Sequence, residues 1–191
     1  MLLFACLIFV SFLNAEVEQV HLRWDPIPCK KACPILLHER LQKAKGVASV
    51  EIDANSGHAT MTWDEKIPFS FVPLNYALRY VGVREKDLRV KVSGTIYGSG
   101  ANYFIKSRGD QTLFMLFNRA ASEGPSNYVN LYNPTNRALS LELIAKLEEI
   151  KKANQIAIIE GPIFMPERSP PDPLRLVIDN ISIEKQKSTK Q

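Results

Sequence analysis

The sequence has few of the residues that mark specialised classes of protein. It contains three cysteines, three histidines and nine glycines among 191 residues, and its 24 Lys and Arg exceed its 20 Asp and Glu by only four. The low glycine content excludes a collagen-like chain, and so small a charge excess is not the basic footprint of a nucleic-acid-binding protein. With 46% hydrophobic and 23% charged residues, the composition is that of a globular protein of one medium or two small domains.

The N-terminal residues 1–13 carry no charge and are almost entirely apolar. This run is shorter than the roughly 20 residues that a membrane-spanning helix needs, and it is typical of the apolar region of a secretory signal peptide. We therefore expect residues 1–15 to be a signal peptide that is cleaved after Ala15 and removes Cys6. The mature protein is expected to be exported, to the periplasm or outside the cell, and to have no transmembrane segment.

Hydrophobic periodicity in the first half predicts alternating strands and helices. Their order is strand, helix, strand, strand, helix, strand, which is typical of a ferredoxin-like βαββαβ module and is expected over residues 16–92. The predicted strands cover residues 18–24, 47–53, 59–63 and 88–97, and the predicted helices cover residues 34–45 and a segment that begins at Ser70 or Val72 and ends at Val81.

The second half predicts three strands, a helix and two strands, the element order of a small OB-like β-barrel over residues 93–184. The predicted strands cover residues 101–106, 111–117, 155–164 and 174–183, with a weaker candidate at 128–132, and the predicted helix covers residues 141–152. A polar tail follows at 185–191. The fold class is thus expected to be α+β. Because the strand 88–97 completes the first module and begins the second, we expect the two modules to be held rigidly.

The first half resembles a known family over residues 16–95. A cysteine-bearing loop follows the first strand, Gly46-Val47 ends the first helix before a strand, and the turn Asn55-Ser56-Gly57 precedes Ala59-Thr60-Met61. These features are similar to those of the heavy-metal-associated domain, the small ferredoxin-like module of copper chaperones and metal-transporting ATPases. The resemblance implies a ferredoxin-like fold for this half of the chain.

The metal-binding loop of that family reads Met-x-Cys-x-x-Cys. In this chain Ile27 stands in the place of the methionine, and the cysteines have the spacing Cys29-x-x-x-Cys33. The resemblance therefore implies Cys29 and Cys33 as the candidate metal ligands, in a motif that departs from the family pattern.

The chemistry of Cys29 and Cys33 leaves two interpretations open. Cys33 is expected at a helix N-terminus, and Lys30 and Lys31 lie between the two sulfurs. The helix dipole and the lysines both favour the thiolate, which binds Cu(I) or Zn(II). In an oxidising compartment, however, two cysteines so close in sequence most simply form a disulfide. Cys29 and Cys33 therefore either bind a metal ion or form a disulfide bond.

The remaining candidates favour structural roles. The histidines His21, His38 and His58 are expected at the surface, and the tripeptide Arg108-Gly109-Asp110 is expected to form a turn between strands. No grouping of acid, base and nucleophile is readable, so no enzyme is expected. The aromatic residues of the barrel are expected to form core or a protein-docking surface; they are Tyr97, Tyr103, Phe104, Phe114, Tyr128 and Tyr132.

These observations predict an exported, non-enzymatic envelope protein that binds a heavy-metal ion, Cu(I) or Zn(II), through Cys29 and Cys33. The alternative is a structural or adaptor protein in which the same cysteines form a disulfide and the partner is an envelope protein. A nucleic-acid partner is not expected from the weak net charge and the exported location.

A titration with Cu(I) separates the two interpretations. We expect the protein as isolated to contain the disulfide, and the reduced protein to take up about one Cu(I), because paired thiolates beside lysines are good ligands for a soft ion. At 100 times its Kd, a bound ion stabilises a protein by about 2.7 kcal/mol, which the double variant Cys29→Ser, Cys33→Ser should lose. Identical melting curves for the reduced wild type and the variant throughout the titration would end the metal hypothesis.

Overall fold

The structure is a computed structural model that describes residues 17–25, 32–119, 137–168 and 173–184. The expected signal peptide at residues 1–15, Cys6, Cys29, the candidate strand at 128–132 and the tail at 185–191 lie outside the described residues.

Within the described residues the chain forms nine strands and three helices. The strands are β1 (Val17–Trp24), β2 (Val47–Asp53), β3 (His58–Trp63), β4 (Glu85–Ser99), β5 (Asn102–Ser107), β6 (Leu113–Phe117), β7 (Ala157–Phe164), β8 (Leu174–Val177) and β9 (Asn180–Ile183), and the helices are α1 (Ala32–Gln42), α2 (Val72–Val81) and α3 (Leu141–Lys152). The fold is thus mixed α+β, as predicted.

Some helices and strands have the predicted bounds, and others differ from the prediction. Helix α3 has the predicted bounds, whereas α1 begins at Ala32 rather than at Pro34. Pro34 remains in the first helical turn, where its missing N–H removes no intrahelical bond. The single strand predicted at 174–183 is divided into β8 and β9 by Ile178 and Asp179.

The first unit of the fold is an antiparallel sheet with the strand order β2-β3-β1-β4. Helices α1 and α2 pack beside each other, and α1 also packs on β2. Alternate strand residues are buried because one face of the sheet is covered. The buried side chains of this layer include Val20, Leu22, Met61 and Leu88 from the strands and Leu37, Leu41, Leu74 and Leu78 from the helices.

The second unit is a small closed barrel of five strands. Its strand order is β4-β5-β6-β8-β7, and the pairing of β4 with β7 closes it. All pairs are antiparallel except β6 with β8, which is parallel. A barrel of this kind removes the exposed edges that an open sheet would leave. The expectation of a β-barrel with one helix in the second half is confirmed at this level.

Helix α3 is fixed to the barrel by buried side chains and by a polar cluster. Leu147 and Ile150 are fully buried, and the hydroxyl of Tyr103 donates a hydrogen bond to the Glu148 carboxylate. Lys151 Nζ donates to Glu148 Oε1 at 2.6 Å and to the carbonyl oxygen of Gly98 at 2.8 Å. The bond to Glu148 raises the pKa of Tyr103 to about 12 because it stabilises the protonated phenol.

Strand β4 belongs to both units, as the sequence predicted. Its residues 85–92 pair with β1, and its residues 94–99 pair with β5 further along the same edge. The opposite edge pairs with β7 over residues 89–94. At Gly94, where the partner changes, an added Cβ would lie 2.2 Å from the carbonyl oxygen of Lys106, so only glycine fits.

A buried carboxylate links the barrel to the first unit. Asp110 in the turn between β5 and β6 is only 4% exposed, and its Oδ2 accepts a hydrogen bond from the N–H of Phe69 at 2.8 Å. Thr112 Oγ1 accepts from the same N–H at 2.7 Å, and the Thr112 hydroxyl donates to Asp110. The Arg108-Gly109-Asp110 tripeptide therefore has the turn role that the sequence predicted, and its aspartate joins segments 41 residues apart.

Replacement of this carboxylate should be costly. Asp110→Ala leaves the buried Thr112 hydroxyl without its acceptor and weakens the tie to Phe69, so we expect the free energy of unfolding to fall by about 1–3 kcal/mol. The matched control is Asp53→Ala, which also removes turn hydrogen bonds, from Asn55 and Ser56, but at an exposed position. Urea denaturation of both variants measures the difference, and equal losses would show that Asp110 has no special role.

Candidate functional site

A cleft lies where strands β4 and β7 separate. Their ladder ends at the pair formed by Arg89 and Pro162, and proline, which has no N–H to donate, is typical of such an end. Beyond this pair a cavity of about 980 Å³ opens between the two strands, and we call it the fork cleft. Its volume is at the upper end of the range usual for ligand sites.

The floor of the fork cleft is apolar. Both structural units supply buried side chains to it, since residues before and within β4 come from the first unit and the end of β7 comes from the barrel. These side chains are Phe71, Val83, Leu88, Ile163 and Met165. Met165 has a φ of 51°, uncommon for a residue other than glycine, and it turns the chain from β7 into the short helical turn Pro166–Arg168. An apolar floor of this kind can bury an apolar side chain of a ligand.

The rim of the cleft carries charge of both signs. The cations are Arg79, Arg84, Lys86 and Arg137, and the anions are Glu85, Asp87 and Glu167. Burial raises the pKa of Glu85, and the charge of Glu167 raises it further. Lys86 is engaged by Asp25 at 3.2 Å. The rim thus combines two carboxylates that repel each other with arginines that can donate hydrogen bonds to acceptor groups of a ligand.

Arg137 lines the cleft on the side of the barrel. Its guanidinium lies over the Phe164 ring, 4.3 Å from the ring centre, and burial lowers its pKa. Among the described residues, no acceptor pairs with its buried Nε. A buried N–H without a partner is costly.

Part of the backbone of β4 also borders the cleft. Residues 85–88 pair with β1 along one edge, and no strand within the described ranges pairs with their other edge, which borders the cleft. In an antiparallel strand the N–H and C=O groups of successive residues point alternately to the two edges. About half of the backbone groups of residues 85–88 are therefore directed away from β1.

Helix α2, whose Asn75 and Arg79 line the fork cleft, also exposes two aromatic rings outside the cleft lining. Tyr76 is 69% exposed and Tyr80 is 52% exposed, which is unusual for large apolar rings. The guanidinium of Arg40 on α1 stacks on Tyr80 at 3.5 Å from the ring centre and so fixes the ring. Ordered tyrosines and arginines are the residues that dominate binding energy at protein interfaces.

The cysteine site predicted from the sequence is only partly visible. Cys33 lies in the first turn of α1 and is disulfide-bonded. Cys29 lies outside the described residues, so the pairing of Cys29 with Cys33 stays a prediction, as does metal binding by the pair. In the described part of the chain, no three His, Cys, Asp or Glu side chains are grouped as metal ligands would be.

The structure brings together two histidines that the sequence placed separately at the surface. The rings of His21 and His58 are stacked with their centres 5.5 Å apart, and Thr60 Oγ1 lies 3.3 Å from His21 Nδ1. His21 and His58 are half-buried rather than fully exposed, as is His38. The residues are 37 positions apart and meet because Arg23 pairs with His58 across β1 and β3, so only the strand register could have revealed the stack.

The aromatic residues predicted for core or docking divide between the two roles. Tyr103 and Phe114 are buried inside the barrel, whereas Tyr97 is 49% exposed and Phe104 is half-buried on the outside. Tyr128 and Tyr132 lie outside the described residues. Of the predicted aromatic residues, the four that the structure describes do not line the fork cleft.

The histidine stack should make stability depend on pH. Burial lowers the pKa of His21, and the neighbouring His58 lowers it further, so protonation costs more in the folded than in the unfolded protein. Stability is then complete above the ordinary pKa of about 6.5 and falls as the pH drops below it. We expect the melting temperature of the wild type to fall more between about pH 7.5 and pH 5 than that of His21→Gln. His38→Gln, outside the stack, is the control, and parallel curves for His21→Gln and wild type would contradict the assignment.

Comparisons of the chain with protein-family models, with curated proteins and with solved structures find no match. Of the helices in the described ranges, none is both long enough and apolar enough to cross a bilayer. The geometry of the fork cleft and its surroundings is therefore the basis on which a function can be proposed.

Proposed function

We propose that this protein is an exported, non-enzymatic adaptor of the cell envelope that binds a peptide segment of a partner protein in the fork cleft. The observation that carries the proposal is the cleft itself, which has an apolar floor, an arginine-bearing rim and an open strand edge. Both structural units build it around their shared strand. The apolar leader at residues 1–13 supports the exported location.

The surroundings of the cleft favour a protein partner over a small molecule. Helix α2 contributes Arg79 to the cleft lining and also exposes the rings of Tyr76 and Tyr80, one of which Arg40 contacts. Aromatic and arginine side chains in ordered positions lose little conformational entropy on binding, which is why they anchor protein interfaces. A small ligand would fill the cleft and leave this surface unused.

The state of Cys33 favours the adaptor interpretation over the metal-binding one. A sulfur atom in a disulfide bond is not a thiolate and cannot coordinate Cu(I) or Zn(II) in that form. Metal binding by reduced Cys29 and Cys33 stays the second candidate, and the Cu(I) titration described above tests it independently of the cleft.

We also propose finer names for the two units. The order β2-β3-β1-β4 with two neighbouring helices supports a ferredoxin-like first unit with the fold of heavy-metal-associated domains. The order β4-β5-β6-β8-β7, with its one parallel pair and with α3 between β6 and β7, supports an OB-like barrel. In this description the fork cleft lies at the junction of the two folds.

Selection of peptides on the whole protein tests the proposed function. A phage-displayed library of random linear peptides is selected on the immobilised protein, and the enriched peptides are synthesised and titrated. We expect peptides with acidic residues to be enriched, and the variant Arg79→Ala, Arg84→Ala to bind them about tenfold more weakly, because two rim cations are lost.

The matched control is Lys43→Ala, Lys45→Ala, which removes two exposed cations after α1, away from the cleft. It should bind the peptides with wild-type affinity, and both double variants should keep wild-type melting temperatures within a few degrees, as surface substitutions usually do. Failure to enrich any peptide, or equal affinities for both double variants, would overturn the proposal.

A further inference from the structure

The open edge of residues 85–88 specifies how a peptide can bind in the fork cleft. We infer that the partner segment binds as an extended strand whose backbone hydrogen-bonds to this edge of β4, a proposal that rests on the proposed function. The edge is the direct continuation of the part of β4 that pairs with β7, so the barrel already shows how it is completed. The added strand takes the place that β7 leaves after Pro162.

The dimensions of the edge limit the occupant. Four residues of strand extend over about 14 Å, so the paired core of the partner segment is about four residues long. Successive side chains of a strand point to opposite faces, so those of the added strand alternate between the apolar floor and the rim. Leu88 and Ile163 on the floor call for apolar side chains at alternate positions.

The rim determines the other positions of the segment. Arg79 and Arg84 lie on the α2 side of the cleft, and neither has a carboxylate partner among the ion pairs of the described residues. An acidic side chain between two apolar ones can reach this side and gains charge-assisted hydrogen bonds there. The chemistry of the partner is therefore an extended segment in which apolar and acidic residues alternate.

Charges along the edge make the addition selective. An unprotected strand edge invites pairing with any other strand, and proteins prevent this with charged side chains and prolines. Here the edge carries Glu85, Lys86 and Asp87, and the opposite side of the cleft carries Glu167. A segment whose acidic side chains face Glu85, Asp87 or Glu167 is rejected, whereas one whose acidic side chain reaches Arg79 and Arg84 is admitted.

An N-methyl scan of a selected peptide tests the strand geometry. Each backbone N–H of the peptide is methylated in turn, and its affinity for the whole protein is measured by titration. If the peptide adds to β4, methylation at alternate positions removes a hydrogen bond and should weaken binding about five- to tenfold, while methylation at the intervening positions should change it less than twofold.

Hydrogen exchange supplies the second measurement. On binding of the unmodified peptide, amides within residues 85–88 should exchange more slowly, and amides of β2, remote from the cleft, should not change. Peptides that bind through Arg79 and Arg84 but show no period of two in the scan and no protection at 85–88 would overturn the strand addition and leave the proposed function intact. A selection that yields no peptide would overturn both.

Discussion

The fold depends on one strand that pairs with three others. β4 must leave β1 and join β5 along a single edge while β7 occupies the other edge, and this is possible only where the backbones approach closely at Gly94. Because the strand is continuous through the change of partner, no linker separates the two units. The buried tie between Asp110 and Phe69 then fixes the far side of the barrel to the first unit.

The same constraint explains why a cleft exists. β7 also changes partner, from β9 to β8 along one edge, and Gly161 allows this because an added Cβ would meet the Val177 carbonyl oxygen at 1.8 Å. At the base of the fork Arg89 is bound to Asp179 at 2.6 Å, and Arg119 binds the same carboxylate at 2.9 Å. Asp179 also donates its backbone N–H to the carbonyl oxygen of Glu160 in β7, so it links β4 to β7 at the base of the fork. Beyond this point the strands diverge around a space that no strand among the described residues fills.

Local patterns predicted the elements well because their signals lie within a few residues of each other. The apolar stripe of α3, with Glu142 in the first turn and two lysines in the last, defined that helix to the residue. The histidine stack and the fork cleft could not be predicted in this way. The stack depends on the register between β1 and β3. The cleft depends on the point where the pairing of β4 with β7 ends, at two residues 73 positions apart, and the hydrophobic alternation within either strand gives no information on that point.

The junction of the two units is suited to recognise a partner through backbone hydrogen bonds. Ordering a loop to meet a partner costs conformational entropy, whereas the edge of residues 85–88 is already held in strand geometry by its pairing with β1. The apolar floor beneath it is likewise fixed, since Leu88 and Val83 are part of the core of the first unit. What remains adjustable is the charged rim, where Arg137 still has an unpaired Nε within the described chain and Glu85 is held beside another carboxylate. Affinity can therefore come from the preformed backbone and floor, and selectivity from the few charges that a partner must satisfy.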